Sequence, residues 1–209
     1  LIQWEAFPNE VLDTTDIKVY DSKIWPTALS LNQFTQATQK TTFSEPLMKY
    51  LNGDKLEVFS NGEFQYTLKG KHAKVRVVWD FQAPEGTGDT HFSLMRGTKA
   101  NLIIRQGQEE GYRPVLYVKL LQGDSRDLTQ AVRNRLQASY PGIDLEALPS
   151  GEYKILVPAQ YHNGHEAHFA QVTAKYLDHL RSGTLPAWEI PNTLTKYFTT
   201  TKALELARK

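Results

Sequence analysis

Between residues 55 and 120, hydrophobic positions alternate with polar ones, the period of two that is typical of β-strands. In the run HAKVRVVWDF, residues 72–81, Ala73, Val75, Val77, Trp79 and Phe81 fall on one face, and the other carries Lys74, Arg76 and Asp80. The runs THFSLMRG, KANLIIRQG and RPVLYVKLL follow as three further strands joined by short turns. We therefore predict one antiparallel sheet of about five or six strands with one buried face.

Three other segments refine the predicted strands. The run KLEVFSNGEFQYTLKG, residues 55–70, carries Asn61-Gly62 between two alternating halves, which predicts a hairpin turning at these two residues. The run IKVYDSKIWPTALS, residues 17–30, predicts a strand that Pro26 breaks. The run GEYKILVP, residues 151–158, predicts one more strand.

Helical spacing dominates elsewhere. LIQWEAF, residues 1–7, is apolar at Leu1, Ile2, Trp4 and Phe7 and stops at Pro8, as in the last turns of a helix whose beginning is missing. LNQFTQAT predicts a short helix that packs Leu31 and Phe34. The run after Asp124 predicts a helix with an apolar stripe of Leu128, Val132 and Leu136.

Two more helices are predicted near the end of the chain. The run HEAHFAQVTAKYLDHLRSG, residues 165–183, predicts a helix buried through Phe169, Val172, Tyr176 and Leu180. A terminal helix begins near Asn192. No repeat or linker interrupts these elements, so we predict one α+β domain over residues 1–209, an open, mainly antiparallel sheet covered by helices on one face.

Composition excludes several classes of function. The chain has 209 residues, 40% of them hydrophobic, with 24 Lys and Arg against 23 Asp and Glu. Since the net charge is +1 and no basic block occurs, we expect no nucleic-acid partner. No apolar run is long enough for a membrane span. Cysteine is absent, which excludes disulfides, thiolate metal ligands and a cysteine nucleophile.

The stretch YHNGHEAHF, residues 161–169, holds three histidines and one glutamate. Asn163 and Glu166 have the spacing of a capping box, so a capped helix start with exposed histidines is the favoured interpretation. A ligand-facing polar cluster is the next alternative. A metal site is the least favoured, because two residues separate His165 from His168 where the zincin pattern has three. We therefore predict no metal ligands.

Other polar residues lie at predicted strand ends. Gly86 and Gly88 lack the third glycine and the following helix that a dinucleotide loop needs, so we expect a flexible connection there. Arg96, Lys99 and Arg105 surround one turn and can hold an anionic or hydroxylated ligand, although solvated charges are commoner at such places. His91 faces outward if Phe92 and Leu94 face inward. No self-sufficient catalytic set is present, and we predict no catalytic residue.

Two long stretches carry a resemblance. The segments from NGEFQYTLKG to GDTHFSLMRGTKANLIIRQG, and from HEAHFAQVTAKYLDHLRSG to TTTKALELA, resemble the C-terminal domain of oxidoreductases of the glucose–fructose oxidoreductase / inositol dehydrogenase (Gfo/Idh/MocA) family, of the type common in Bacteroidetes. The resemblance implies an N-terminal Rossmann domain that binds NAD(P) in a longer parent protein. Its Glu/Asp-Lys-Pro and Asp-x-x-x-His motifs do not occur in these residues. This chain alone is therefore expected to be inactive and to bind no cofactor.

The resemblance also implies a role for the chain. In the parent, hydride would pass between nicotinamide and a sugar or polyol, with an upstream lysine and histidine assisting proton transfer. The domain would supply part of the substrate pocket and an interface of a homo-oligomer. For substrate contact we select His91, Arg96, His162 and His165. Family members often carry export or lipoprotein signals, so the resemblance implies a periplasmic or cell-envelope location, with the cytoplasm as the alternative.

Three alternatives to this function stay open. The parent can act as an NAD-dependent glycosidase, because some members of the family use transient hydride transfer for hydrolysis. The chain can instead be a stand-alone carbohydrate-binding or assembly module that uses the face of Lys74, Arg76 and Asp80. A metal-dependent hydrolase built on His162, His165 and His168 is the last alternative.

Overall fold

The computed structural model describes residues 2–209, apart from the side chains of Trp4 and Glu5. Its α+β class with open antiparallel sheets is as predicted. The chain groups into two units, the first made of residues up to 82 together with 179–209, and the second of residues 83–178. The single domain expected over residues 1–209 stays a prediction.

The strands form two sheets, so the predicted single sheet is wrong. β4 (Lys71–Val77) pairs with β3 (Lys55–Leu68), whereas β5 (His91–Arg96) pairs with β6 (Ala100–Gln106). Residues 78–90 between them hold no strand. Pro84, Gly86 and Gly88 lie in this connection, and such residues do not support a continuous ladder. Trp79, Asp80 and Phe81 consequently lie beyond the end of β4 rather than on its two faces.

The sheet of the first unit is built around β3. This strand pairs with β1 (Ile17–Leu29) on one side, and with β2 (Leu51–Asn52) and β4 on the other. One face packs against the N-terminal segment through a cluster of buried residues, with Leu68 fully buried and Leu12 nearly so. The side chains that form this cluster are Phe7, Leu12, Tyr66 and Leu68.

The predicted hairpin at Asn61-Gly62 is wrong, because both residues lie in the middle of β3. Asn61 is only 4% exposed, and its side-chain amide donates to the Trp25 carbonyl and to Oγ1 of Thr27 on β1. The amide therefore links two strands instead of shaping a turn. The actual turns before and after β3 contain Gly53 and Gly70, which have the positive φ angles that tight turns require.

β1 runs through Pro26 without ending, although the sequence predicts a break there. The register against β3 shifts between Trp25 and Thr27, and Pro26 lies within this irregularity. Among the described residues, β1 pairs with β3 alone and forms an edge of its sheet. An edge strand with a bulge tolerates proline, because no ladder hydrogen bond needs its missing N–H group.

Three helices belong to the first unit. α1 (Ile2–Ala6) confirms the predicted N-terminal helix, while Leu1 and the Trp4 side chain lie outside the described residues. α2 (Leu31–Thr38) buries Phe34 but leaves Leu31 39% exposed, against prediction. α6 (Glu189–Ala207) begins slightly earlier than predicted and buries Thr195, Thr199 and Ala203. Short 3-10 turns occupy Thr14–Asp16, Glu45–Tyr50 and Ala159–Tyr161.

The second unit contains a five-stranded sheet in the order β5-β6-β7-β9-β8. Its remaining strands are β7 (Val115–Leu120), β8 (Asp144–Ala147) and β9 (Tyr153–Leu156). α3 (Ser125–Ala131) continues through a short π-helix at Val132–Leu136 into α4 (Gln137–Ser139). As predicted, Leu128, Val132 and Leu136 form the stripe that packs on the sheet, around buried Val118 and Ile155.

α5 (His165–Ser182) is present as predicted, but its predicted burial is wrong. No residue of α5 is buried, and Phe169, Val172, Tyr176 and Leu180 are 60%, 67%, 63% and 66% exposed. Within the described part of the chain, nothing covers this apolar side. The boundary between the two units falls inside α5. Neither α5 nor any other described helix has the length and apolar character needed to cross a membrane.

Candidate functional site

His91, the first selected residue, opens β5 with an exposed side chain. Its Nε2 lies 2.7 Å from Oγ of Ser93, on the same side of the strand. This side continues to Met95, which is in register with Leu102, and Leu102 packs against the α3 cluster. His91 therefore lies at the rim of the helix-covered face.

The condition set for an outward-facing His91, that Phe92 and Leu94 face inward, is not met, although His91 is exposed. Phe92 is 67% exposed and Leu94 is 36% exposed, whereas Ser93 and Met95 are half-buried. The helix α3 covers the face that Met95 shares with Leu102, so the alternation alone did not show which face is the core.

Arg96 ends β5 on the face opposite the α3 cluster, with an exposed side chain. It lies in register with Asn101, whose Oδ1 is buried and has no hydrogen-bond partner among the described residues. Buried polar atoms are usually paired, so an unused acceptor is notable here. This face therefore offers an exposed cation and a buried acceptor in register with each other.

Arg105 is occupied within the fold and is not available to a ligand. Its two terminal nitrogens each donate to Glu152 at 2.8 Å, and the guanidinium lies 4.6 Å from the ring centre of Tyr117. Hydrogen bonds from Arg105 lower the pKa of the Glu152 carboxyl, and those same bonds raise the pKa of Arg105. Burial, with the hydrogen bond to Glu110, raises the pKa of Tyr117. This polar network is a structural element that sequence reasoning missed.

The other two selected residues lie at the start of α5. His162 follows a 3-10 turn and is exposed, and His165 is the first residue of the helix. The His165 ring packs against Phe169 with the ring centres 4.7 Å apart. An imidazole against a phenyl ring forms a small amphipathic surface at the helix N-terminus, where the backbone carries partial positive charge.

The predicted capping box of Asn163 and Glu166 is not formed. The helix begins at His165, so Gly164 occupies the capping position and Asn163 lies one residue outside it. No hydrogen bond of the Asn163 side chain occurs among the described residues. Nor do three His, Asp or Glu side chains of residues 2–209 come together in a group able to hold a metal ion.

Two depressions are lined by residues of the first unit, and none of the four selected residues belongs to their lining. A cavity of about 160 Å³ is lined by Phe7, Trp188, Asn192 and Lys196, among others. A wider, mainly apolar groove of about 780 Å³ lies against Ile24, Tyr50, Phe59 and Leu204. The selected residues lie in the second unit, and among the described contacts none joins His91 or Arg96 to His162 or His165.

A cluster of cations around one carboxylate was also missed from the sequence. Glu63, with an 11% exposed side chain, lies 3.0 Å from Lys74 Nζ and 3.4 Å from Lys23 Nζ. The hydrogen bond from Lys74 lowers the pKa of Glu63. Lys23 and Arg76 also lie within 5.9 Å and 5.8 Å of the Trp25 ring centre. Cross-strand register, which single strands do not reveal, assembles this group.

The Gly86–Gly88 segment does not have the form of a phosphate-binding loop. β5, rather than a helix, follows it, so no helix N-terminus is available for a pyrophosphate. Gly88 serves packing instead, because a Cβ there would lie 3.1 Å from Cβ of Tyr112. This segment therefore does not provide a dinucleotide-binding loop.

Comparison with known proteins assigns the family. The profile described as "Putative oxidoreductase C terminal domain" matches residues 1–208. The chain belongs to this family. Members of this oxidoreductase C-terminal family are parts of longer proteins by their description, which implies an N-terminal partner domain. No match is found among curated proteins.

A solved structure is similar over nearly the whole chain. It is a putative oxidoreductase from Parabacteroides merdae ATCC 43184, with 44% sequence identity and a TM-score of 0.95. The match covers 99% of this chain but 48% of that protein. This oxidoreductase C-terminal domain therefore spans about half the length of its structural relative.

Proposed function

We propose that this chain is the substrate-binding and oligomerisation domain of an NAD(P)-dependent sugar or polyol oxidoreductase of the Gfo/Idh/MocA family. Membership of the oxidoreductase C-terminal family supports the proposal, as does the coverage of 48% of the relative. The observation that carries it is the exposed His162 and His165 pair at the start of α5, beside the aromatic ring of Phe169.

The chemistry of this pair suits a hydroxylated ligand. A neutral imidazole has one donor and one acceptor nitrogen, so two histidines can bind adjacent hydroxyl groups of a sugar. The Phe169 ring beside His165 offers an apolar surface for the C–H face of a pyranose or polyol. Arg96, which no described contact joins to this pair, stays a separate candidate for substrate contact as an exposed cation. In the proposal these groups bind and orient the substrate, and none of them acts as the acid or base.

The cofactor belongs to the other half of the parent in this proposal. NAD(P), when bound there, accepts or returns hydride. The task of this chain is to hold the substrate carbon in a fixed position and to keep the substrate oxygens bound. Such positioning supplies a large part of the rate enhancement of a two-substrate reaction.

The exposed β5 edge of the second sheet supports oligomerisation. Phe92 and Leu94 project from it, and the buried acceptor Asn101 Oδ1 lies on the same face. Large exposed apolar residues beside polar groups are typical of protein interfaces. A second copy that covers this edge would remove Phe92 from water.

The test is substrate binding by the complete gene product, measured by calorimetry with a panel of sugars and polyols. His165→Ala should weaken binding of the best ligand about tenfold or more, with little change in melting temperature. His72→Ala, on β4, is the matched control and should leave affinity unchanged. An equal loss of affinity and stability in His165→Ala would assign that residue a structural role instead.

A second candidate function is supported by the Trp25 cluster. In this alternative the chain is a carbohydrate-binding module, and the polar face of the first sheet is its binding surface. Three cations surround the single carboxylate of Glu63, and Arg76 reaches Glu63 only through Nε at 3.9 Å. Its terminal nitrogens are therefore available for the carboxylate or sulfate of an acidic saccharide beside Trp25. Asp80, which the sequence places on this face, lies beyond β4.

The two candidates respond to different substitutions. Trp25→Ala should abolish binding of acidic oligosaccharides if the module function holds, while Tyr50→Ala should not. Cofactor-independent binding that depends on Trp25 and not on His165 would favour the module.

A further inference from the structure

The apolar side of α5 is an exposed surface to which the proposed function assigns no role. Five side chains, which we term the α5 stripe, project from this side and are 53% to 67% exposed. The helical repeat places them on neighbouring positions of one face over about three turns. The α5 stripe consists of Phe169, Val172, Tyr176, Leu177 and Leu180.

A helix with such a stripe requires a covering surface. Helices of fewer than about 15 residues are marginal alone in water, and longer ones in proteins still owe most of their stability to packing of an apolar face. α5 has 18 residues and buries none of them in the described structure. Its opposite side carries polar residues such as Gln171 and Ser182, so the helix is amphipathic and has one side for docking.

We propose that the α5 stripe is the docking surface for the half of the parent protein that lies outside this chain. The similar solved protein has about as much sequence outside the match as within it, since the match covers 48% of its length. In this proposal that half packs against the C-terminal domain through the α5 stripe, an apolar helix face that the described residues leave exposed. This inference rests on the proposed function, which assigns the cofactor to that half.

The charges along α5 favour this occupant over a second copy. The helical repeat places His168, Lys175 and His179 along one border of the stripe. In an antiparallel pair about a two-fold axis, like borders meet. Lys175, near the middle of α5, would then approach Lys175 of the other copy. If the other half of the parent places acidic residues opposite His168, Lys175 and His179, this repulsion between like charges does not arise.

The docking has a consequence for the site. His165 lies on the stripe side of the first turn, with its ring on Phe169. A domain that covers Phe169 must therefore also approach His165, and the substrate position would form only when both halves meet.

The test is hydrogen exchange of the complete gene product, followed by mass spectrometry. Val172→Glu should raise the exchange rate of residues 165–180, and of one surface in the other half, by about tenfold or more. Gln171→Glu, on the opposite side of the same helix, should leave both rates unchanged. Leu180→Gln is a milder variant that should give the same pattern if Val172→Glu fails to fold.

A photo-crosslinking residue at position 172 provides an independent readout, with position 171 as its control. Crosslinks within one molecule to residues outside this chain support the docking. Crosslinked dimers, crosslinks back to residues 1–209, or equal yields from positions 172 and 171 would overturn it. Neither measurement needs cofactor or substrate, so docking can be confirmed even if the proposed reaction is wrong, and the reverse also holds.

Discussion

Asn61 accepts a hydrogen bond from the main-chain nitrogen of Trp79 through its side-chain oxygen, at 2.7 Å. The same amide group donates to Trp25 and Thr27 on β1, at 3.2 Å and 2.9 Å. One buried side chain therefore holds the central strand β3, the edge strand β1 and the segment after β4 together. The residue that sequence rules assign to a turn is a polar link between strands.

This link should contribute measurably to stability. Asn61→Ala should lower the free energy of unfolding by about 2–4 kcal/mol, because it removes three hydrogen bonds and leaves buried backbone groups unpaired. Urea unfolding followed by tryptophan fluorescence measures this change. Asn52→Ala, which removes an exposed bond to Glu57, is the control and should cost about 0.5 kcal/mol or less. Equal effects of both variants would contradict the assigned role of Asn61.

The Arg105–Glu152 pair should make stability depend on acid pH. The pKa of Glu152 is lowered from its ordinary value of 4.5 by the hydrogen bonds from Arg105. A carboxyl whose pKa is lower in the folded state stabilises the fold above its unfolded pKa, and this contribution is lost as pH falls through the folded pKa. Melting temperature should therefore decline below about pH 4.5, as this and other paired carboxyls are protonated.

Glu152→Gln isolates the share of this pair in the pH dependence. The variant should be less stable at neutral pH by about 1–3 kcal/mol, because Arg105 then lacks its bidentate partner. Its melting temperature should also decline less than that of the wild type between about pH 5 and about pH 3. Parallel curves for the two proteins would show that Glu152 does not contribute to the acid response.

The turn between β5 and β6 should tolerate no side chain at Gly97. A Cβ there would lie 2.7 Å from the carbonyl oxygen of Ala100, while the Gly97 N–H donates to that same oxygen. Gly97→Ala should therefore lower the free energy of unfolding by about 1–3 kcal/mol. Gly164→Ala is the control, since its Cβ would meet only a flexible Glu166 side chain at 3.6 Å. Thermal unfolding of both variants tests whether Gly97→Ala loses more stability than Gly164→Ala.

The exposed β5 edge of the second sheet should determine the oligomeric state. Phe92→Arg should shift the complete gene product toward monomer in light scattering, because it places a charge where Phe92 is 67% exposed in the single chain. Phe59→Arg, at a comparably exposed phenylalanine of the first unit, is the matched control. An unchanged mass in Phe92→Arg, or a shift in both variants, would remove the proposed interface.

The sequence predicts the elements of the fold better than their arrangement. Alternation located β4 to β7, and helical spacing located α2, α3, α5 and α6, because both patterns are local. The division into two sheets depends on which strands pair, and no local pattern marks that β4 and β5 remain apart. Asn61-Gly62 shows the same limit, since its conformation is decided by β1 and Trp79, which are distant in sequence.

The candidate site is less predictable than the fold for a physical reason. Residue types pointed to His91, Arg96, His162 and His165, and all four are exposed in the structure. Their roles stay predictions. Arg105 is not available to a ligand, because both of its terminal nitrogens donate to Glu152. Glu152 is distant from Arg105 in sequence, so this pairing becomes visible only when the sheet is assembled. The burial predicted for the apolar side of α5 is wrong, because no residue of this helix is buried in the described structure.

The most direct test of the central claim is cofactor reduction by the complete gene product with a panel of sugars and polyols. The proposal predicts formation of reduced nicotinamide with at least one of them, and a reduction of kcat/KM by about tenfold or more in His165→Ala but not in His72→Ala. Absence of any cofactor-dependent turnover, including glycoside cleavage with catalytic NAD(P), would contradict the claim that this domain serves an NAD(P)-dependent enzyme.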